Sequence, residues 1–102
     1  PAFHISIVID VSPECDCSSY NDAAIVPNVG MFASFDPVAL DAACVDAVNA
    51  MPSMVGTRAS EAGDHHDHDH FHRMHPDTDW QAGLEHAEKI GIGTREYELI
   101  KI

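Results

Sequence analysis

The sequence predicts an α/β fold: a small mixed sheet with two or more helices packed on it. Three observations predict it. A nearly unbroken Ile/Val stretch opens the chain, a long Ala/Val/Leu segment follows an Asp-Pro start, and a second helix-like segment follows Asp79. All 102 residues are expected to form one domain, interrupted by a His/Asp-rich loop at about 53–78.

Residues 3–11, FHISIVIDV, are continuous enough in apolar character for a strand covered on both faces. Ser12-Pro13 stops it. Residues 12–28 read as a loop with a short apolar stretch at Ala23 to Val26, and VGMFAS at 29–34 reads as a second strand. Asp36 is a good N-cap, and Pro37 sits where its missing N–H costs nothing. From Val38 to Met51 the polar residues Asp41, Asp46 and Asn49 fall within about 140° of arc, so most of this helix is buried. Pro52 ends it. Thr78 or Asp79 caps a further helix to about Ile90, with Trp80, Leu84 and Ala87 as its inward stripe. Gly91 and Gly93 are C-terminal stops. The tail, EYELIKI, reads as a final strand with one solvated face.

Charge and spacing exclude several function classes. Seventeen acidic residues against five basic ones give a formal charge of −12. Such a surface repels nucleic acid and anionic membranes. The longest apolar run, Ile5 to Ile9, falls far short of the ~20 residues that span a bilayer. The opening decapeptide has no basic leader region and begins without Met inside a strand-like pattern, so a piece of a longer chain is expected. Three cysteines, two of them one residue apart, suit a reducing, cytoplasmic setting better than a disulfide framework. If the sheet is incomplete, an exposed edge favours a homodimer or pairing with a neighbouring strand.

Two constellations could carry chemistry. Cys15-Asp16-Cys17, followed by Asn21 and Asp22, lies just past the C-terminal end of a strand, where open α/β sheets bind ligands. Thiolates there suit zinc, copper(I) or iron, though two ligands do not close a tetrahedral site. Cys44 reads as a core residue. The second constellation is His65, His66, His68, His70 and His72, interleaved with Asp, and His75 beyond. Imidazole and carboxylate at this density chelate zinc or nickel in either a helical or an extended conformation. A third arrangement, a metal-dependent enzyme built on Asp10, Asp16 or Asp22, lacks any nameable nucleophile–base pair.

The stretch IDVSPECDCSSYNDAAIVPNVGMFASFDPVALDAACVDAVN resembles the C-terminal part of an uncharacterised prokaryotic family, domain of unknown function 362. The closing HPDTDWQAGLEHAEKIGIGTREYELIKI resembles the end of the same proteins. The D-C-D-C loop, the N-D-A-x-I-V-P turn, the D-P-V-A-x-D helix start and the G-x-G-x-x-E-Y-E-L-I ending carry the resemblance together. Members often hold ferredoxin-type 4Fe-4S motifs, with C-x-x-C-x-x-C-x-x-x-C runs upstream of the part represented here. The resemblance therefore implies a C-terminal domain of a larger iron–sulfur protein with a redox or electron-transfer role. The 4Fe-4S cluster would sit in the ferredoxin-like remainder of the parent chain. Cys15, Asp16 and Cys17 match the family's loop, and on the iron–sulfur reading that loop is expected to face the cofactor or an added metal. The stretch from about Gly56 to Phe71 departs from the family's usual acidic loop by its histidines.

Overall fold

The computed structural model describes residues 2–61 and 69–102. Its elements follow the chain as β1 (His4–Val8), β2 (Gly30–Ser34), α1 (Pro37–Ala50), α2 (Arg58–Glu61), α3 (His70–Met74) and α4 (Trp80–Lys89). This is an α/β fold with helices on a small sheet. The sheet has two strands among the described residues, paired antiparallel with Ile5 opposite Ala33 and Ile7 opposite Met31.

β1 is shorter than the Ile/Val run that signals it. Asp10 takes a left-handed φ of 50°, and its backbone N–H donates to Asn28 Oδ1 at 2.9 Å. Asp is one of the few non-glycine residues that tolerate this region, and the chain turns there out of the strand. Nor is β1 covered on both faces. Val8 is buried, whereas Ile5 is 58% and Ile7 64% exposed. Phe3, Met31 and Phe35 are exposed as well, with the Phe3 and Phe35 rings 4.9 Å apart. The helices cover one face only, so the run of Ile and Val marks a bare apolar face rather than a two-sided core.

The core lies on the other side. Val8, Ile25, Val26, Val48 and Ala59 are buried together, with Phe32, Cys44, Met51, Phe71 and Met74 against them. The apolar stretch inside the 12–28 loop contributes two of these residues. It is held by backbone bonds from Ile25 N–H to Val11 C=O and from Met54 N–H to Ile25 C=O, both 2.8 Å. The loop's buried amides thus find partners without forming a strand.

α1 begins as its local chemistry requires. One carboxylate oxygen of Asp36 accepts from the N–H groups of Val38 (2.9 Å) and Ala39 (3.1 Å), and Pro37 opens the helix. α1 buries Val38, Ala39, Leu40, Ala42, Ala43 and Val48. The other oxygen of Asp36 accepts from Thr94 N–H at 2.9 Å. That contact explains Gly93 better than helix termination does, because a Cβ there would run into the Asp36 carboxylate. Gly91, at φ 84°, is the residue that turns the chain out of α4.

Segment 53–78, expected as a loop, carries α2 and α3 in its described part. Asp69 caps α3, accepts from Trp80 Nε1 at 2.7 Å and from Asn49 Nδ2 at 3.5 Å, and so links α1, α3 and α4. The expected tail strand is not formed. Tyr97 O–H donates to Asp46 at 2.6 Å, so the segment after Thr94 lies along α1, where no strand edge is available to pair with it. Among the described residues no helix is long and apolar enough to cross a membrane.

Three amide bonds hold the Asp36 carboxyl below its usual range, the one from Thr94 most of all. A depressed folded pKa means stability that is present above the unfolded value and lost as pH falls through the folded one. Asp36→Ala should therefore lower stability by about 1 kcal/mol at neutral pH, the cost of a lost cap. The gap between variant and parent should close as urea melts are repeated below the ordinary carboxylate range.

Candidate functional site

The loop that leaves β1 presents two thiols. Ser18 N–H donates to Cys15 C=O at 2.8 Å, which closes a four-residue turn over Cys15, Asp16, Cys17 and Ser18. All three residues of the Cys-Asp-Cys sequence are exposed. Hydrogen bonding from the Cys17 amide and then the Cys17 thiol holds the Cys15 thiol below its ordinary range, against desolvation and the charge of Asp16. The same side-chain bond, with the charge on Cys15, pushes the Cys17 thiol up. The two cysteines are thus unequal: Cys15 ionises more readily than Cys17.

The rest of the loop anchors this turn. Asn21 Oδ1 accepts from Glu14 N–H at 3.0 Å, and Asn21 Nδ2 donates to Ser12 Oγ and to Glu14 C=O. Arg58, from α2, donates to Glu14 Oε1 at 3.3 Å and to Tyr20 C=O at 2.7 Å, and lies 3.7 Å from Asp22. His75 Nε2 reaches Pro13 C=O at 2.6 Å and stands 3.8 Å from Glu14 Oε2. Asn21 stands in the candidate constellation but its anchoring role is not legible there, and Arg58 gives no signal at all. Its partners lie 38 and 44 positions away, beyond the reach of local pattern.

Cys44 does not join the pair. It is half-buried on α1, packs against the core, and burial raises its pKa while a bond with Ser6 opposes the rise. The histidines divide. His65, His66 and His68 lie outside the described residues. His70 is 4% exposed, with Nε2 on Met51 C=O at 2.7 Å and Nδ1 at 3.4 Å from an Arg73 nitrogen. Both ring nitrogens are thus engaged within the protein. His72 is exposed on α3, and His75 is the loop anchor described above. Asp10 and Asp22 serve the backbone: Asp10 turns the chain, and Asp22 Oδ1 accepts from Ala23 N–H at 2.8 Å. Among the described residues no three His, Cys, Asp or Glu gather as a metal-holding group.

Fold and site together define a small α/β domain with a thiol-bearing loop anchored at the end of its first strand. Residues 2–46 match the family model described as Domain of unknown function (DUF362), a stretch that includes β1, the cysteine loop, β2 and most of α1. The family resemblance of the D-C-D-C loop and the D-P-V-A-x-D helix start holds over that stretch, while the closing segment lies outside it. No curated protein and no solved structure matches the chain.

Alkylation follows the thiolate fraction. The rate of Cys15 carbamidomethylation should rise at lower pH than those of Cys17 and Cys44, read peptide by peptide by mass spectrometry. Cys17→Ala, which removes the thiol donor, should move the Cys15 profile to higher pH. An unmoved profile would place the cause elsewhere.

Proposed function

We propose that the chain is the C-terminal domain of an iron–sulfur cluster-binding, ferredoxin-type protein with a redox or electron-transfer role, and that the Cys15–Asp16–Cys17 loop faces the cofactor. The observation that carries this reading is the paired presentation of two exposed thiols in one turn, braced from α2 and from the segment after α3. Rigid placement of soft, ionisable groups is what a redox partner or an added metal requires. A 4Fe-4S cluster takes four thiolates. This chain has three cysteines, and Cys44 lies on α1 packed against the core rather than in the loop. The cluster therefore belongs to the ferredoxin-like remainder of the parent chain, which is also the partner that the bare sheet face and the two outer strand edges would accommodate. A second copy is the other candidate for that face.

A second reading assigns zinc or nickel to the His/Asp-rich stretch, and the density of imidazoles there favours it. Asp69 and His70 are structural in this fold, so removing the whole stretch would confound metal uptake with packing.

Metal and sulfide analysis of the longer protein and of this chain, purified anaerobically without metal resin, tests both readings. Iron with labile sulfide in the longer protein and none in this chain is the expected result. Stoichiometric iron in the chain alone would overturn the placement of the cluster. For the second reading, replacing His65, His66 and His68 together by Gln should abolish zinc binding in equilibrium dialysis while leaving the thermal melt unchanged. Undiminished zinc binding would remove that reading.

A further inference from the structure

We propose that Cys15 and Cys17 form a reversible dithiol–disulfide couple that exchanges electron pairs with low-molecular-weight disulfides, Cys15 attacking and Cys17 resolving. This rests on the reading of the loop as the functional site and names its chemistry.

Geometry makes the bond available. Residues two apart in an extended chain stand roughly 6.6–7.2 Å apart at Cα, at or past the limit for a disulfide. The turn closed by Ser18 N–H on Cys15 C=O at 2.8 Å draws the chain back on itself and shortens that span, with Cys15 and Cys17 at its first and third positions. Both sulfurs are exposed, so a disulfide can reach Cys15. Cys44, on α1 and engaged with Ser6, is not a competing resolver. The asymmetry of the pair fits the two roles. The thiol that favours ionisation makes the better first nucleophile, and the one that keeps its proton stays in reserve until the mixed disulfide has formed.

The steps balance. The Cys15 thiolate attacks one sulfur of RS–SR, forming Cys15–S–S–R and expelling RS⁻, which takes a proton from solvent. Formation of the mixed disulfide removes the negative charge of Cys15, and with it one of the causes that raised the Cys17 thiol. Cys17 then loses its proton to solvent and attacks the Cys15 sulfur, breaking the mixed disulfide and expelling the second RS⁻. The protein loses two electrons and two protons, and RS–SR becomes two RSH. With an excess of thiol the same steps run backwards. A ring closed through one intervening residue is strained, which places the couple among labile disulfides rather than structural ones.

The test is titration of the chain with mixtures of oxidised and reduced glutathione, quenched with maleimide and read by peptide mass mapping. The expected oxidised product has lost two hydrogens, carries no label on Cys15 or Cys17, and keeps its label on Cys44. Reduced glutathione should restore both labels. Cys17→Ser should stop at one glutathione on Cys15, and Cys44→Ser should leave the couple intact. Labels on both Cys15 and Cys17 under fully oxidising conditions, or a glutathione on each, would overturn the proposal. Failure here and failure of the cluster reading are separable. A Cys15–Cys17 bond in a protein whose parent lacks iron and sulfide removes only the cluster. A cluster in the parent beside two labelled thiols removes only the couple.

Discussion

The Asp36 carboxylate is the constraint on which the fold turns. One oxygen caps α1 through Val38 and Ala39, and the other binds Thr94 N–H. Its own N–H is fixed by Ser34 Oγ at 3.0 Å. One residue, through its N–H and its carboxylate, therefore ties together the end of β2, the start of α1 and the return of the chain after α4. Glu88 tightens the return by accepting from Thr94 Oγ1 and from the backbone and guanidinium of Arg95. A two-stranded sheet is marginal without a helix against it. Fixing the start of α1 beside β2 is thus what lets the inner sheet face be buried at all.

The thiol loop is ordered by different means. It has little regular structure, so its polar backbone must be satisfied piece by piece. Asn21 does this locally, acting as both acceptor and donor across the turn. Arg58 and His75 do it from a distance, each reaching a loop carbonyl. Both also approach the Glu14 carboxylate, Arg58 at 3.3 Å and His75 at 3.8 Å. The low pKa of Cys15 comes instead from the amide and thiol of Cys17. Bracing and activation of the loop are therefore carried by separate groups.

Features decided within four residues were legible in the sequence. The Asp36 and Asp79 caps and Pro37 at the first turn follow from local spacing, and the structure has them; the expected stripe of α4, Trp80, Leu84 and Ala87, is half-buried. So was the position of the Cys15–Cys17 loop after the first strand. Features decided by distant partners were not. Asp69 could have been read as an N-cap for α3, but its bond to Trp80 could not. The alternation in EYELIKI means a strand only when an edge lies beside it, and here α1 does. The Ile/Val run of β1 reads the same whether one face or both are covered, because periodicity carries no information about what lies opposite. The thiol asymmetry was invisible for a further reason: it depends on a turn, and C-x-C spacing alone is compatible with thiols pointing apart.

The bare sheet face and the thiol loop are structurally independent. Phe3, Ile5, Ile7, Met31 and Phe35 contribute none of the bonds that brace the loop. Those bonds come from Ser12, Asn21, Arg58 and His75, and the backbone tie from Ile25 to Val11 joins the loop to the core. In the proposed function another chain or segment covers this exposed apolar patch. Covering it would stabilise the sheet without touching the groups that set the ionisation of Cys15. A domain so divided can be docked through one face while its thiols keep the chemistry they have in isolation.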